Sequence, residues 1–375
     1  MAKLFLHVGF HKTGTTSLQD ALNRNRKELE SQGIIYPKTR KFRAQHEFAW
    51  SVGQRGWGWK QFGGSQAGPG PARRMFKLIR SSKQNLIVSS EFLSELSPEH
   101  IKKLSSSIGD KELRVIFTVR PVAKILPSAY QQEVKNGSKL TYDKWLVRVL
   151  DSEKESRVRT RFWKRHSHHL EIAKWAEIVG VANISVIVSD ESRPEFLTDS
   201  FFELIGASTD SFRESKKDIV NRSMDVAEME LLRRINEKFD RNLGWDEYVA
   251  SIRSTIVKTW TQSVPSENSP GRLANPEKFK ERIDQRVLEV TEGIKALGVT
   301  VIGDVDSLAK TSYGQNMIPE SIAIDALVEP ILARTRETVL DSFKTTSLLK
   351  LVLKRASKNL KRDFKRLVVK KQRAI

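Results

Sequence analysis

The stretch Leu4-Phe5-Leu6-His7-Val8-Gly9-Phe10-His11-Lys12-Thr13-Gly14-Thr15-Thr16-Ser17-Leu18-Gln19 decides the fold. Residues 3–8 have the composition of a buried strand, Gly9 and Gly14 bound a short polar turn, and a helix pattern begins at Thr15. The first N–H groups of a helix have no intrahelical partner, and with the positive end of the helix dipole they bind anions. The sequence therefore predicts a strand, loop and helix unit that binds a phosphate or sulfate group.

The loop differs from a nucleoside triphosphate-binding loop at one decisive position. In that loop a lysine follows the second glycine and reaches the β and γ phosphates, and the next hydroxyl helps to hold Mg²⁺. Here Thr15 follows Gly14, and Lys12 comes two residues before it. A cation placed nearer the strand suits a monophosphate-linked group better than a triphosphate with its metal.

Polar residues also follow two later strands. The apolar run 114–119 is followed by Arg120 and, eight residues further, by Ser128. An arginine fork and a hydroxyl can together bind a dianionic phosphate through charge-assisted hydrogen bonds.

Two residues are candidates for a general base. Glu91 directly follows the apolar run 85–90, at the edge where open α/β sheets bind their ligands. His46 is the second candidate and lies in a polar segment, 38–72, which we expect to be a loop. The tryptophans of that segment, Trp57 and Trp59, are candidates for acceptor binding.

Residues 10–19 resemble the phosphosulfate loop of sulfotransferases that use 3′-phosphoadenosine 5′-phosphosulfate (PAPS), particularly their bacterial carbohydrate-type branch. The spacing of Arg120 and Ser128 is similar to that family's site for the donor's 3′-phosphate. The resemblance implies that Glu91, or His46 in its place, takes the acceptor proton, and that no metal takes part. It implies an acceptor hydroxyl, with a carbohydrate as the leading class. It further implies that the phosphosulfate is bound by Lys12, Thr13, Gly14, Thr15 and Thr16.

The resemblance covers residues 3–35 and 85–146, and it is weaker over 183–236. In the weaker region Asn221, Arg222 and Ser223 are candidates for further donor contacts.

Strands alternate with helices along the first half of the chain, which predicts an α/β fold with a central parallel sheet flanked by helices. This is the three-layer arrangement of P-loop proteins, here with a mostly helical second half. The predicted strands are 3–8, 85–90, 114–119, 183–188 and 299–302. The predicted helices are 15–32, 72–82, one opened by Ser97 and Pro98, 121–136, 141–151, 168–179, 194–205, 225–240, 245–257 and 276–297.

Composition limits the class of protein and its expected location. The 375 residues include 39% hydrophobic residues, enough for a substantial core, and no cysteine. No apolar run approaches the ~20 residues of a membrane-spanning helix, and the start of the chain lacks a secretory pattern. We therefore expect a cytoplasmic protein.

Half of the net charge of +20 lies in residues 350–375, which hold eleven Lys and Arg against one Asp. We expect residues 1–335 to form the α/β domain and 336–375 to form a basic amphipathic tail. Such a helix, over 344–375, could lie on an anionic membrane surface, dock on a partner or pack on its own domain. The remaining charge suits an anionic donor or acceptor, so no specific nucleic acid partner is expected.

Two other functions stay open on the sequence alone. One is a Mg²⁺-dependent nucleotide kinase or hydrolase on the same sheet, although it needs a lysine where Thr15 stands. The other is a non-enzymatic protein that binds nucleic acid or anionic membranes through its C-terminal helix.

Overall fold

Six parallel strands form the central sheet of the computed structural model, which describes residues 1–39, 44–54, 56–57, 65–151, 156–212, 222–262 and 271–316. The strands of the central sheet are β1 (Lys3–His7), β2 (Ile34–Ile35), β5 (Asn85–Ser89), β6 (Glu112–Val119), β7 (Ile184–Val188) and β8 (Thr300–Ile302). A separate antiparallel pair consists of β3 (Gly56–Trp57) and β4 (Ser65–Gln66). The spatial order of the central sheet is β2-β5-β1-β6-β7-β8.

Helices cover both faces of the sheet, so the predicted three-layer α/β architecture is confirmed. The α-helices are α1 (Thr15–Arg24), α2 (Arg26–Ser31), α3 (His46–Val52), α4 (Gly70–Ser81), α5 (Pro98–Ser106), α6 (Val122–Lys135), α7 (Tyr142–Leu150), α8 (Arg157–His166), α9 (His168–Val179), α10 (Phe196–Leu204), α11 (Val226–Lys238), α12 (Trp245–Tyr248), α13 (Lys258–Gln262) and α14 (Lys280–Lys295). Among the described residues no helix has the length and apolar character needed to cross a membrane.

The two sides of the sheet bury separate cores, because successive residues of a strand point to opposite faces. Leu4 and Leu6 of β1 face the larger core, which includes residues of α5, α6 and α9. Phe5 faces the smaller core, which is closed by α1, α2 and α10. Burial on both faces explains why β1, β5, β6 and β7 are nearly continuous apolar runs that could be read from the sequence.

Several predicted elements need correction. The helix expected over 15–32 is interrupted at Asn25, whose buried side-chain amide donates to the Ala21 carbonyl (3.0 Å) and separates α1 from α2. The segment expected to be a loop, 38–72, contains α3. The helix expected over 245–257 becomes a π-helix at Val249–Val257. The prediction also omitted β2, which has only two residues, and α8.

α8 was not predicted because its sequence has almost no apolar periodicity. Only Phe162 and His166 are buried, and most of the other side chains are basic. The helix is capped by Ser156, whose hydroxyl accepts a hydrogen bond from the Arg159 N–H at 3.1 Å. α8 packs beside α7.

Pro127 lies inside α6 and cannot donate the backbone hydrogen bond that would reach the Ala123 carbonyl. The buried Asn275 replaces it: its Nδ2 donates to the Ala123 oxygen (2.8 Å), and its Oδ1 accepts from the Tyr142 hydroxyl (2.8 Å). A distant residue thus completes the helix that carries Ser128.

Replacing Asn275 with alanine should lower the free energy of unfolding by about 1–3 kcal/mol, because a buried carbonyl and a buried hydroxyl lose their partner. Urea denaturation followed by circular dichroism measures the change. The matched control is Asn242→Ala, since the Asn242 amide contacts Asp240 on the exposed surface. A loss no larger in the Asn275 variant than in the control would show that water replaces the amide.

Candidate anion-binding and transfer site

The loop between β1 and α1 is closely packed and adopts two left-handed backbone conformations. Gly14, directly before α1, has a φ of 87°, and Lys12 has a φ of 69°. A Cβ atom on Gly9 would lie 2.3 Å from Cγ2 of Thr15, so only glycine fits there. Lys12 has a backbone conformation that is uncommon for residues other than glycine, asparagine and aspartate.

The backbone N–H groups of residues 13–16 and the Thr13 side chain differ in whether they already have a partner. The Thr13 hydroxyl donates to the Phe10 carbonyl (2.8 Å) and lies 2.9 Å from Oγ1 of Thr118 in β6. The N–H groups of residues 13–16 have no acceptor among the residues that the structure describes, because the first bonds of α1 run from Ser17 and Leu18 to the Gly14 carbonyl. These N–H groups can therefore bind an anion.

Lys12 connects this loop to α6. Its Nζ donates to Oε1 of Gln132 at 3.1 Å. Burial and then the charge of Lys135 lower the pKa of Lys12 to about 8, with Glu91 opposing the shift and Arg253 adding to it. Lys12 is therefore mostly charged at neutral pH and loses its proton in mild alkali.

The two candidate bases lie side by side. Ser90 caps the short 3₁₀ turn Glu91–Glu95, and His46 begins α3. Nδ1 of His46 is 2.9 Å from the Ser90 hydroxyl and 3.6 Å from Oε2 of Glu91. Gln19 of α1 donates to the same Glu91 oxygen at 3.4 Å. The sequence predicted Glu91 and His46 as alternative bases, and the structure brings the two side chains together.

The environment separates the charge states of this pair. Burial by itself would raise the pKa of Glu91, but the charges of His46 and His11, a backbone N–H and Gln19 outweigh it and hold that pKa below its usual range. Burial lowers the pKa of His46, although Glu91 opposes the shift. At neutral pH the carboxylate is ionised and the imidazole is neutral, so each group is in a form that can accept a proton.

Arg120 and Ser128 lie at the same edge of the sheet as the loop. β6 is the direct neighbour of β1, with His7 opposite Ile116, and Arg120 follows its last residue. Ser128 is one turn before Gln132 on the same face of α6, and Gln132 is the residue that Lys12 contacts.

Arg120 has a partner that the sequence analysis did not assign. Its Nε and Nη2 donate to Oε1 of Glu191 (3.1 and 2.5 Å), and Lys124 reaches the other carboxylate oxygen at 2.6 Å. Glu191 comes three residues after the end of β7, which pairs with β6, so adjacent parallel strands bring these residues together. The sequence contains this signal, since strand 183–188 ends in Ser189-Asp190-Glu191.

The remaining residues that the sequence drew attention to lie outside the loop and the pair of candidate bases. Arg222 makes two hydrogen bonds to Glu228, the residue that forms the capping box of α11, so its guanidinium already supports a helix start. His7 of β1 is fully buried beside Ser89, and burial lowers its pKa to about 4, so its imidazole is neutral at neutral pH. Outside the described residues lie Asn221, Trp59, the side chain of Trp57, the boundary at 335 and the tail 336–375.

The chain resembles a known protein in structure only distantly. No family model matches the chain, and no curated protein is significantly similar to it. Among solved structures, a sulfotransferase from Alicyclobacillus acidocaldarius matches with a TM-score of 0.40 and 17% sequence identity, over 60% of this chain and 87% of that one. This likeness is too distant to carry a functional conclusion, which must come from the geometry of the site.

Proposed function

We propose that this protein is a sulfotransferase that moves the sulfuryl group of PAPS to an acceptor hydroxyl, with a carbohydrate as the class of acceptor. The contact between Lys12 and Gln132 is the observation that carries the proposal. Through this contact the loop between β1 and α1 lies beside α6, which carries Ser128, and β6, which Arg120 directly follows, is the neighbour of β1. One elongated ligand with an anionic group at each end suits this arrangement.

In the proposed reaction the acceptor oxygen attacks sulfur, and the bond from sulfur to the bridging phosphate oxygen breaks. The N–H groups of residues 13–16 bind the phosphosulfate, and Lys12 stabilises the charge that grows on the bridging oxygen. Arg120 and Ser128 bind the distant 3′-phosphate and so fix the donor for in-line attack. The acceptor proton passes to Glu91, with His46 beside it, and adenosine 3′,5′-bisphosphate leaves.

Calorimetric titration with adenosine 3′,5′-bisphosphate in the presence of EDTA tests the proposal. We expect one molecule to bind per chain, and adding Mg²⁺ should not tighten binding. ATP with Mg²⁺ should bind more weakly, because Thr15 replaces the lysine that contacts the β and γ phosphates. Absence of bisphosphate binding, or ATP binding that depends on Mg²⁺, would refute the transferase proposal.

Variants of Arg120, Ser128 and Glu191 test the proposed 3′-phosphate site. Arg120→Ala should weaken bisphosphate binding about 10- to 100-fold, in line with the loss of hydrogen bonds to a charged group. Ser128→Ala should weaken it less, since it removes one neutral donor. Glu191→Gln should strengthen it, because the Glu191 carboxylate now accepts both bonds from the guanidinium and would repel a phosphate.

Arg114→Ala is the matched control for this series. Arg114 lies in β6, the strand that Arg120 directly follows, and also pairs with a glutamate, Glu112, but it is near the opposite end of that strand. Its replacement should leave bisphosphate affinity unchanged. If Arg120→Ala and Arg114→Ala have equal effects, Arg120 does not bind the phosphate.

A further inference from the structure

A basic groove runs along α8. Arg157, Arg161 and Lys164 of this helix are exposed, and Arg165 is half-buried. Their spacing of three or four residues places them, with Thr160, on one side of the helix. This side lines a groove of about 540 Å³, and Glu95 lies in its wall. The size is that of a site for a small ligand or a short segment of a polymer.

The groove shares two lining residues with a cavity beside Lys12. Arg161 and Arg165 also line a second, smaller cavity, whose other walls include His11, Lys12 and Gln132. The two depressions therefore share these arginines, and together they extend from the exposed side of α8 to the Lys12 side chain.

Positive charge is in excess along this path. The nearly buried Glu95 carboxylate accepts from Nε of Arg165 (3.0 Å) and contacts Nε2 of His11 (2.9 Å), and Glu133 pairs with Arg161. Among the residues that the structure describes, these are the two carboxylates that line the groove and the cavity. They face the five cations Lys12, Arg157, Arg161, Lys164 and Arg165.

Resting on the proposed function, we propose that the acceptor is an anionic oligosaccharide, whose acidic groups bind along the groove of α8 while the reacting hydroxyl reaches Lys12 and Glu91. Charge complementarity identifies this ligand. Arginine forks match the geometry of carboxylate and sulfate groups, and a row of cations at helical spacing can contact acidic groups repeated along a chain. Each exposed contact is weak and screened by salt, so affinity must come from several together.

The test compares a galacturonic acid tetrasaccharide with its carboxyl-reduced, neutral counterpart. Binding of each is measured by titration at low and at high salt, with the parent chain and the variant Arg157→Gln/Lys164→Gln. Both replaced residues are exposed, so the fold should be retained. The control is Lys27→Gln/Lys83→Gln, which removes the same charge from exposed positions on α2 and before β5, at the edge of the sheet opposite the site.

We expect the parent to bind the acidic tetrasaccharide at least ~10-fold more tightly than the neutral one at low salt, with most of the difference lost at high salt. The α8 variant should lose about 10-fold in affinity for the acidic ligand only, consistent with two screened charge contacts. The control should behave as the parent. Equal binding of the two tetrasaccharides, or equal losses in the variant and the control, would overturn the inference.

Two further measurements separate the alternatives. The first is the affinity for a single-stranded oligonucleotide. If the parent binds it as tightly as the acidic tetrasaccharide, and the α8 variant loses both affinities equally, the inference is overturned, because the groove then binds polyanions in general. Adenosine 3′,5′-bisphosphate is titrated into the same proteins. If the parent binds the bisphosphate but does not prefer the acidic ligand, only the acceptor inference fails. If the parent does not bind the bisphosphate, the proposed function fails.

Discussion

Replacing Lys12 with alanine should lower kcat for sulfuryl transfer about 10²–10³-fold, because the variant loses a cation directed at charge that develops in the transition state. Single-turnover measurements with PAPS would isolate the chemical step. Binding of adenosine 3′,5′-bisphosphate should change less than kcat, since the backbone of residues 13–16 and Arg120 still hold the ligand. Near-normal turnover in this variant would exclude the role assigned to Lys12.

The same lysine should set the alkaline limit of activity. Its pKa is lowered to about 8, and the protonated form is the one that binds and stabilises an anion. Activity should therefore be full below this pKa and decline as the pH rises through it. Lys135→Gln provides a sharp control: removing the neighbouring charge should raise the pKa of Lys12 and move the alkaline limb upward. A limb that stays in place would show that another group titrates.

Replacing Glu91 with glutamine should lower kcat by about 10²–10⁴-fold, the range typical of a lost general base. The change is nearly isosteric, so the contact with Gln19 and the turn at Glu91–Glu95 should persist. Since the pKa of Glu91 is held below its usual range, the parent should keep its activity into mild acid. That activity should fall only when the carboxylate becomes protonated.

His46→Gln is the matched comparison, because it alters the partner of Glu91 and keeps a polar side chain at the start of α3. If Glu91 is the base, this variant should lose much less activity than Glu91→Gln, and its acid limb should move upward as the favourable charge of His46 is removed. The opposite order of effects would identify His46 as the base, with Glu91 as the residue that orients it.

Much of the framework could be predicted from local patterns. β1 and β6 are apolar runs because the sheet is buried on both faces, and the start of α5 follows from Ser97, whose hydroxyl caps it, and Pro98. β2 could not be read because two residues show no periodicity. α8 could not be read because a helix that buries only two residues lacks an apolar stripe.

The amino-acid sequence by itself determined the parallel α/β sheet, the loop between β1 and α1, and the residue types at the carboxyl ends of the strands. Only the tertiary structure decided that His46 lies against Glu91, that Glu191 holds Arg120 and that Arg161 and Arg165 of α8 line one cavity with Lys12. The physical reason is how far apart the interacting residues lie in the sequence. Strand burial, helix caps and glycine turns depend on residues a few positions apart. These residues lie 45, 71 and more than 140 positions apart and meet only when the strands align.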